Sequence, residues 1–247
     1  ARSPTPRLVQ RIFLQRGYHV LLEHQYLCRR LVIEGHSEAA RQIRDKPSLR
    51  RRERLLRRRG HLAIRHLKAR EDVEPLLEGF FAQHVARWAG SASPSLFVDG
   101  RNRRFYHELM STLGGKGWLL FTSVELDDRP IAFHYGFDYQ GTVLWYKPSF
   151  DIAHASYSPG LVLVRALIDY AIDNGRGELD FTVGDEPFKA RFTNSEQATV
   201  CVRAYRSVSA LARARIRRRL STLVGRLNRL SRIQAGGILR RAGRGGR

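Results

Sequence analysis

TVLWYKPSF (142–150), DIAHASYSPG (151–160), LVLVRALIDYAID (161–173), ELDF (178–181) and TVGDEPFKARF (182–192) lie close together, in that order, in a chain of 247 residues. The first run is rich in β-branched and aromatic residues and reads as a strand. Pro159-Gly160 ends that extended stretch and immediately opens an apolar helix, with Pro in the first turn where its missing N–H costs nothing. A helix that starts this abruptly leaves first-turn amides without acceptors, at the positive end of the helix dipole. Residues 158–161 therefore suit a phosphate-bearing ligand.

Working outward, residues 61–206 form a consistent series. HLAIRHL (61–67) reads as a strand. Asp72 is placed to cap a helix of about 73–88, in which Val73, Leu76, Leu77, Phe80, Phe81, His84 and Val85 share one stripe. A Ser/Pro loop (91–95) precedes a second helix, about 101–113, with Phe105, Leu109 and Met110 inward and Gly114-Gly115 as its stop. WLLFTSVEL (118–126), IAFHYGFDY (131–139) and TVLWYKPSF are separated only by Asp127-Asp128 and Gln140-Gly141, the spacing of an antiparallel meander. The helix of about 160–174 is apolar nearly all round until Asp169 and Asp173, so it is expected to be buried against the sheet. A strand (178–181), a helix (about 185–193) and a last strand (198–205) complete the series. Before it, residues 1–47 read as a helix (about 7–16) and two strand-like runs, HVLLE and RLVIE. Residues 48–60 read as a basic helix with Leu49, Leu55 and Leu56 on its sparse apolar side and Gly60 as its stop.

The net charge of +21 is unevenly distributed. Residues 206–247 hold 13 Arg and no acidic residue, and residues 41–59 hold 10 basic residues against Asp45 and Glu53. The rest of the chain is balanced, so binding to nucleic acid or anionic lipid falls to those two segments. In 207–247, Leu and Ile alternate with Arg at helical spacing before a Gly/Arg-rich end. That pattern reads as a partly docked helix with a frayed tail, or as a surface for anionic membrane or tRNA. No stretch of about 18 apolar residues and no signal-peptide pattern occurs, so a cytoplasmic protein is expected, peripheral at the inner membrane surface if the tail meets it. Cys28 and Cys201 are isolated in sequence and read as reduced thiols; no metal site is expected. Walker, nucleophile-elbow and zincin motifs are missing from the sequence.

The order strand, helix, helix, three antiparallel strands, helix, strand, helix, strand resembles the GNAT acyl-CoA N-acyltransferase fold, an α/β (α+β) architecture with a mixed central sheet flanked by helices. More narrowly, Ser158-Pro159-Gly160, Asp180-Phe181 with Gly184-Asp185-Glu186-Pro187-Phe188-Lys189, and the RRRERLLRRRG helix resemble the CelD-type GNAT acetyltransferases. That family is associated with cellulose and polysaccharide biosynthesis and is related to the Fem-type aminoacyl transferases, which carry two such domains in tandem. The resemblance covers 45–206. It implies that 1–47 is the remnant of an N-terminal GNAT-like half, 48–60 a basic linker helix, 61–206 the acyltransferase domain, and 207–247 a basic amphipathic helix with a disordered tail. Two departures stand out: the Gln/Arg-x-x-Gly-x-Gly/Ala loop of GNAT enzymes is replaced by the sequence around Ser158-Pro159-Gly160, and Phe188 stands where relatives often have Tyr.

The resemblance implies acetyl-CoA or another acyl-CoA as co-substrate, held between splayed strands with its diphosphate at Tyr157, Ser158, Gly160 and Leu161, and Lys189 available to a phosphate or to the neighbouring acids. Pro148 removes one ladder donor, which fits a strand that breaks its pairing near Lys147-Pro148. Asp185 and Glu186 are candidate bases, or else first-turn acids that complement a helix dipole. His134 is a candidate base or a satisfied strand histidine. Asp151 is a candidate for binding the acceptor amine, or a turn-forming residue. Asp180 faces the cleft or pairs with an Arg. With Phe188 in place of Tyr, Tyr146, Tyr157 or water must protonate the leaving thiolate. The activity implied is acyl transfer from acyl-CoA to an amine, or a hydroxyl, of a saccharide or small metabolite. Two other classes remain open: Fem-like aminoacyl transfer from tRNA, and an inactive GNAT-like module at the membrane surface. Either would use 48–59 and 207–247.

Overall fold

The computed structural model describes residues 4–91, 93–184 and 186–218. The chain divides into two compact units, residues 26–198 and residues 1–25 with 199–247. The larger unit is built on a sheet of order β2-β3-β4-β5-β6, continued by the parts of β1 (His19–Val32) and β7 (Ser195–Tyr205) that belong to it. β2 is Leu62–Leu67, β3 Leu119–Leu126, β4 Arg129–Tyr139, β5 Thr142–Phe150 and β6 Glu178–Val183. All neighbours from β2 to β5 are antiparallel, whereas β5 and β6 run parallel, so the sheet is mixed. Asp127 and Asp128 have φ of 48° and 62°, and Gln140 and Gly141 have 48° and 77°. Both hairpins therefore use two-residue turns of the primed type, whose twist matches the strands.

Helices cover both faces. Leu120 and Val124 of β3 pack in a core with Ala40 and Ile43 of α2 (Ser37–Arg44), Leu49 and Leu56 of α3 (Pro47–Arg57), and Val162, Leu163 and Leu167 of α6 (Pro159–Asp173). Leu119 and Phe121 pack on the other face with Leu77, Phe80 and Phe81 of α4 (Arg70–Trp88) and Tyr106 and Met110 of α5 (Gly100–Gly114). β3 is consequently buried on both faces along nearly its whole length, Thr122, Ser123 and Glu125 included. Glu53 of α3 pairs with Arg165 of α6 and with Arg57. Inside the sheet face, Asp138 Oδ2 accepts from Lys68 at 2.8 Å, Tyr170 at 2.6 Å and Arg176 at 2.9 Å, tying α6 to β4.

The smaller unit holds α1 (Thr5–Gln15), the start of β1, the end of β7 and a helix over 208–218. Glu23 there pairs with Arg203 and Arg218. The expected tail beyond residue 218 lies outside the described residues.

The structure corrects several local expectations. HVLLE and the first three residues of RLVIE belong to one 14-residue strand, and α2 follows it unannounced. α4 begins at Arg70 with Ala69 at its N-cap, so Asp72 lies in the first turn and caps nothing. Phe105 is 54% exposed and Tyr106 is buried, a helix phased one residue later than the stripe suggested. The helix expected at 185–193 is a single 3₁₀ turn, Lys189–Phe192, after Pro187.

Candidate active site

β5 and β6 share three paired positions, Thr142↔Glu178, Val143↔Leu179 and Leu144↔Asp180, and then part, although β5 continues to Phe150 and β6 to Val183. The parting comes before Pro148. Its cause sits on β6: Thr182 adopts φ 57°, a conformation β-branched residues avoid. It is held there by two bonds, its N–H donating to Asp180 Oδ1 at 2.7 Å and its hydroxyl to the Trp145 carbonyl at 2.9 Å.

On the other edge of β5, the β4 register shifts between Tyr135 and Phe137, so Trp145 and Tyr146 together oppose Gly136. This is a β-bulge. His134 fills it: Nε2 lies 3.2 Å from the Leu144 carbonyl and 3.3 Å from the Tyr146 N–H, and the ring stacks on Trp145 at 5.5 Å. A Cβ on Gly136 would meet His134 Cε1 at 2.1 Å and the Leu144 carbonyl at 2.4 Å, so the bulge requires glycine.

A cavity of about 710 Å³ occupies the gap. Its walls are Trp145 to Phe150 of β5, Ser158, Gly160 and Leu161 at the start of α6, Val183, Glu186 and Phe188 after β6, and His84, Arg87 and Trp88 of α4 with Ser93, Pro94 and Leu96 behind them. Ser158 takes a left-handed conformation (φ 55°) to turn the chain into α6. Of the amides expected for a phosphate, Ser158 N–H donates to Ala155 and Leu161 N–H to the Ser158 carbonyl, while Gly160 N–H has no acceptor among the described residues. A Cβ on Gly160 would meet only Phe150, at 3.5 Å, so glycine here keeps the cavity mouth open rather than relieving backbone strain.

The other expected site residues are distributed around this gap. Glu186 lines it, and its Oε2 lies 2.8 Å from Lys189 Nζ. Lys189 is buried, also donating to the Val183 carbonyl at 3.1 Å; its ammonium fastens the turn that carries Glu186. Gly184, at φ 133°, leaves room for both side chains. Asp151 caps the 3₁₀ turn Ile152–Tyr157, its carboxylate accepting from Ala153 N–H and lying 3.1 Å from His154 Nδ1. Tyr157 packs against the core under the Arg59 guanidinium. Burial pushes the Asp180 carboxyl up from its usual range. His134 is fully buried beneath the bulge, away from the cavity wall. Asp185 lies outside the described residues.

The α4 wall was not legible as part of a site. His84 Nδ1 lies 2.8 Å from Ser95 Oγ, and burial, then Lys147 and Arg87, push its pKa down to about 4. Tyr146 lines the cavity with its hydroxyl accepting from Tyr106 Oη at 3.1 Å, which leaves the Tyr146 proton free to be given away.

Burial also pushes the His134 pKa down to about 3. The unfolded chain takes up a proton near pH 6.5 and the folded chain does not, so this contribution is complete above pH 6.5 and shrinks as pH falls towards 3. Between pH 7 and pH 5 the wild type is expected to lose about 2 kcal/mol more than His134→Gln in urea unfolding. Comparing the two chains cancels His66 and His84, which run the same way, and Asp169 and Asp180, which run the other. Equal losses would show that His134 is not a buried neutral imidazole.

A mixed sheet that opens beside a bulge, facing the start of a helix, defines an acyltransferase-type cleft. The chain belongs to the acetyltransferase (GNAT) domain family, whose model matches residues 44–190, and it is a transferase of that class. No curated protein sequence matches it. Among solved structures it is similar to FemX, at 9% identity, TM-score 0.60, over 83% of this chain and 70% of that one. It is also similar to the C-terminal domain of a lysylphosphatidylglycerol synthetase from Agrobacterium fabrum, at 10% identity, TM-score 0.53, over 85% and 68%. A third similarity is to L-PGS from Bacillus licheniformis, at 10% identity, TM-score 0.50, over 83% and 68%. At these identities the likeness is one of fold. Among the described residues no helix is long and apolar enough to cross a membrane.

Proposed function

We propose that the protein is an N-acyltransferase of CelD type that moves an acetyl or longer acyl group from acyl-CoA to an amine, secondarily a hydroxyl, of a saccharide or small metabolite in the cytoplasm. The observation that carries this reading is the gap beyond Leu144↔Asp180, which leaves the β5 edge unpaired opposite the free Gly160 amide. The residues present fit the donor. Gly160 N–H and the α6 N-terminus would hold the diphosphate, and the open β5 edge would bond the amides of the pantetheine arm. When bound, acyl-CoA supplies an activated thioester. Glu186, alone or with Asp185, takes the proton of the attacking amine; Tyr146 Oη returns one to sulfur as the N–C bond forms and the C–S bond breaks. Lys189 and Asp151 act by holding the turns on either side.

Calorimetric titration of the full chain with acetyl-CoA tests this. Binding is expected, and Gly160→Asp, which sets a carboxylate against the diphosphate, is expected to weaken it at least about tenfold. A folded wild type that does not bind acetyl-CoA would exclude the reading.

One observation favours a second reading, Fem-like aminoacyl transfer from tRNA. Arg52 of α3 donates to the Ser156 carbonyl at 2.9 Å and Arg59, just beyond that helix, covers Tyr157, so arginines of 48–59 flank the turn proposed to bind phosphate. Steeply salt-dependent tRNA binding, lost on removing the charges of 48–59 or the 207–247 tail, would support it. Flotation with anionic liposomes tests the same segments for peripheral membrane contact.

A further inference from the structure

The cavity wall holds two cations, Arg87 of α4 and Lys147 of β5, that no carboxylate among the described residues answers. Arg87 donates to the Pro148 carbonyl at 3.2 Å and lies over the Phe150 ring at 4.1 Å, yet no acidic side chain among the described residues pairs with it. Lys147 has its ammonium 5.1 Å from the Tyr146 ring centre and likewise no acidic partner there. The one acid on the cavity wall among the described residues, Glu186, is already matched by Lys189. Burying an uncompensated guanidinium is costly, and a ligand can supply the missing anion.

A guanidinium and an ammonium around one space are donors in search of an acceptor.

The donor's diphosphate is assigned above to the Gly160 amide, at the edge of the Phe150 ring. Gly160 meets the edge of the Phe150 ring while Arg87 lies over its face, so one side chain separates the two anion-seeking ends. A simple ammonium, moreover, would be repelled by Arg87 and Lys147. An amine that brings its own negative charge is drawn in and oriented by it.

We infer that the acceptor is an amine carrying its own anionic group, a carboxylate or a phosphate, which docks on Arg87 and Lys147. This rests on the acyltransferase reading and names the substrate class of that same cavity.

The test titrates the CoA-saturated full chain with O-phosphoethanolamine, β-alanine and ethanolamine, which carry a phosphate, a carboxylate and no anion. At least one anionic amine is expected to bind tenfold or more tightly than ethanolamine, and which one distinguishes phosphate from carboxylate. The preference is expected to disappear in Arg87→Gln and in Lys147→Gln, the second keeping the test open should the first fail to fold, with the acetyl-CoA Kd within twofold of wild type. Equal binding of the three amines, no binding of any, or a preference that survives both substitutions overturns the inference. A tenfold loss of acetyl-CoA affinity in either variant also overturns it, by assigning the cations to the donor. Failure of the acyltransferase reading itself shows separately, as wild type that does not bind acetyl-CoA.

Discussion

Gly136→Ala is expected to lower the stability of the chain by about 3 kcal/mol or more and to abolish acetyl-CoA binding in what remains folded. The added methyl falls 2.1 Å from His134 Cε1 and 2.4 Å from the Leu144 carbonyl, and the second of these is backbone. Relief therefore requires β4 and β5 to separate or the imidazole to leave its slot. The imidazole is fully buried, and its Nδ1 already lacks a partner among the described residues. Urea unfolding, with the slope checked for constancy, gives the first quantity and calorimetry the second. An unchanged midpoint would mean that the bulge is not held as described.

Tyr146→Phe is expected to lower kcat about 100-fold while leaving acetyl-CoA affinity within twofold of wild type. Tyr146 lines the cavity and its hydroxyl accepts from Tyr106, so removing the hydroxyl takes away the proton proposed for the thiolate without altering the Gly160 end. An acyl donor whose thiol leaves readily without a proton is expected to recover most of the deficit, because that donor does not need the lost step. A loss of less than threefold with acetyl-CoA, or an equal deficit with both donors, would remove Tyr146 from the reaction.

The architecture was readable where local chemistry leaves little choice. Asp127-Asp128 and Gln140-Gly141 between apolar runs could only be tight turns, and Pro159-Gly160 before a nearly unbroken apolar run could only open a buried helix. The phosphate end proposed for the site rests on the same junction. What stayed hidden depends on contacts distant in sequence. Arg87 reads as an ordinary cation near a helix C-terminus, and nothing local says that Phe150 lies beneath it. His134 alternates correctly for a strand, but its role depends on a one-residue register shift against β5, which the sequence does not mark except through Gly136. Thr182 gives no sign of a positive φ, because the bonds to Asp180 and Trp145 that hold it arise only after β5 and β6 meet.

The cavity wall has one more consequence. Of three tryptophans, Trp88 and Trp145 border the space, while Trp118 lies apart, against Tyr139. Indole emission responds to the polarity and quenching of its surroundings, so most of the intrinsic fluorescence originates beside the seat of any bound molecule. The unlabelled chain carries its own optical gauge of occupancy, with Trp118 as an internal reference that filling the cleft should leave dark to the change.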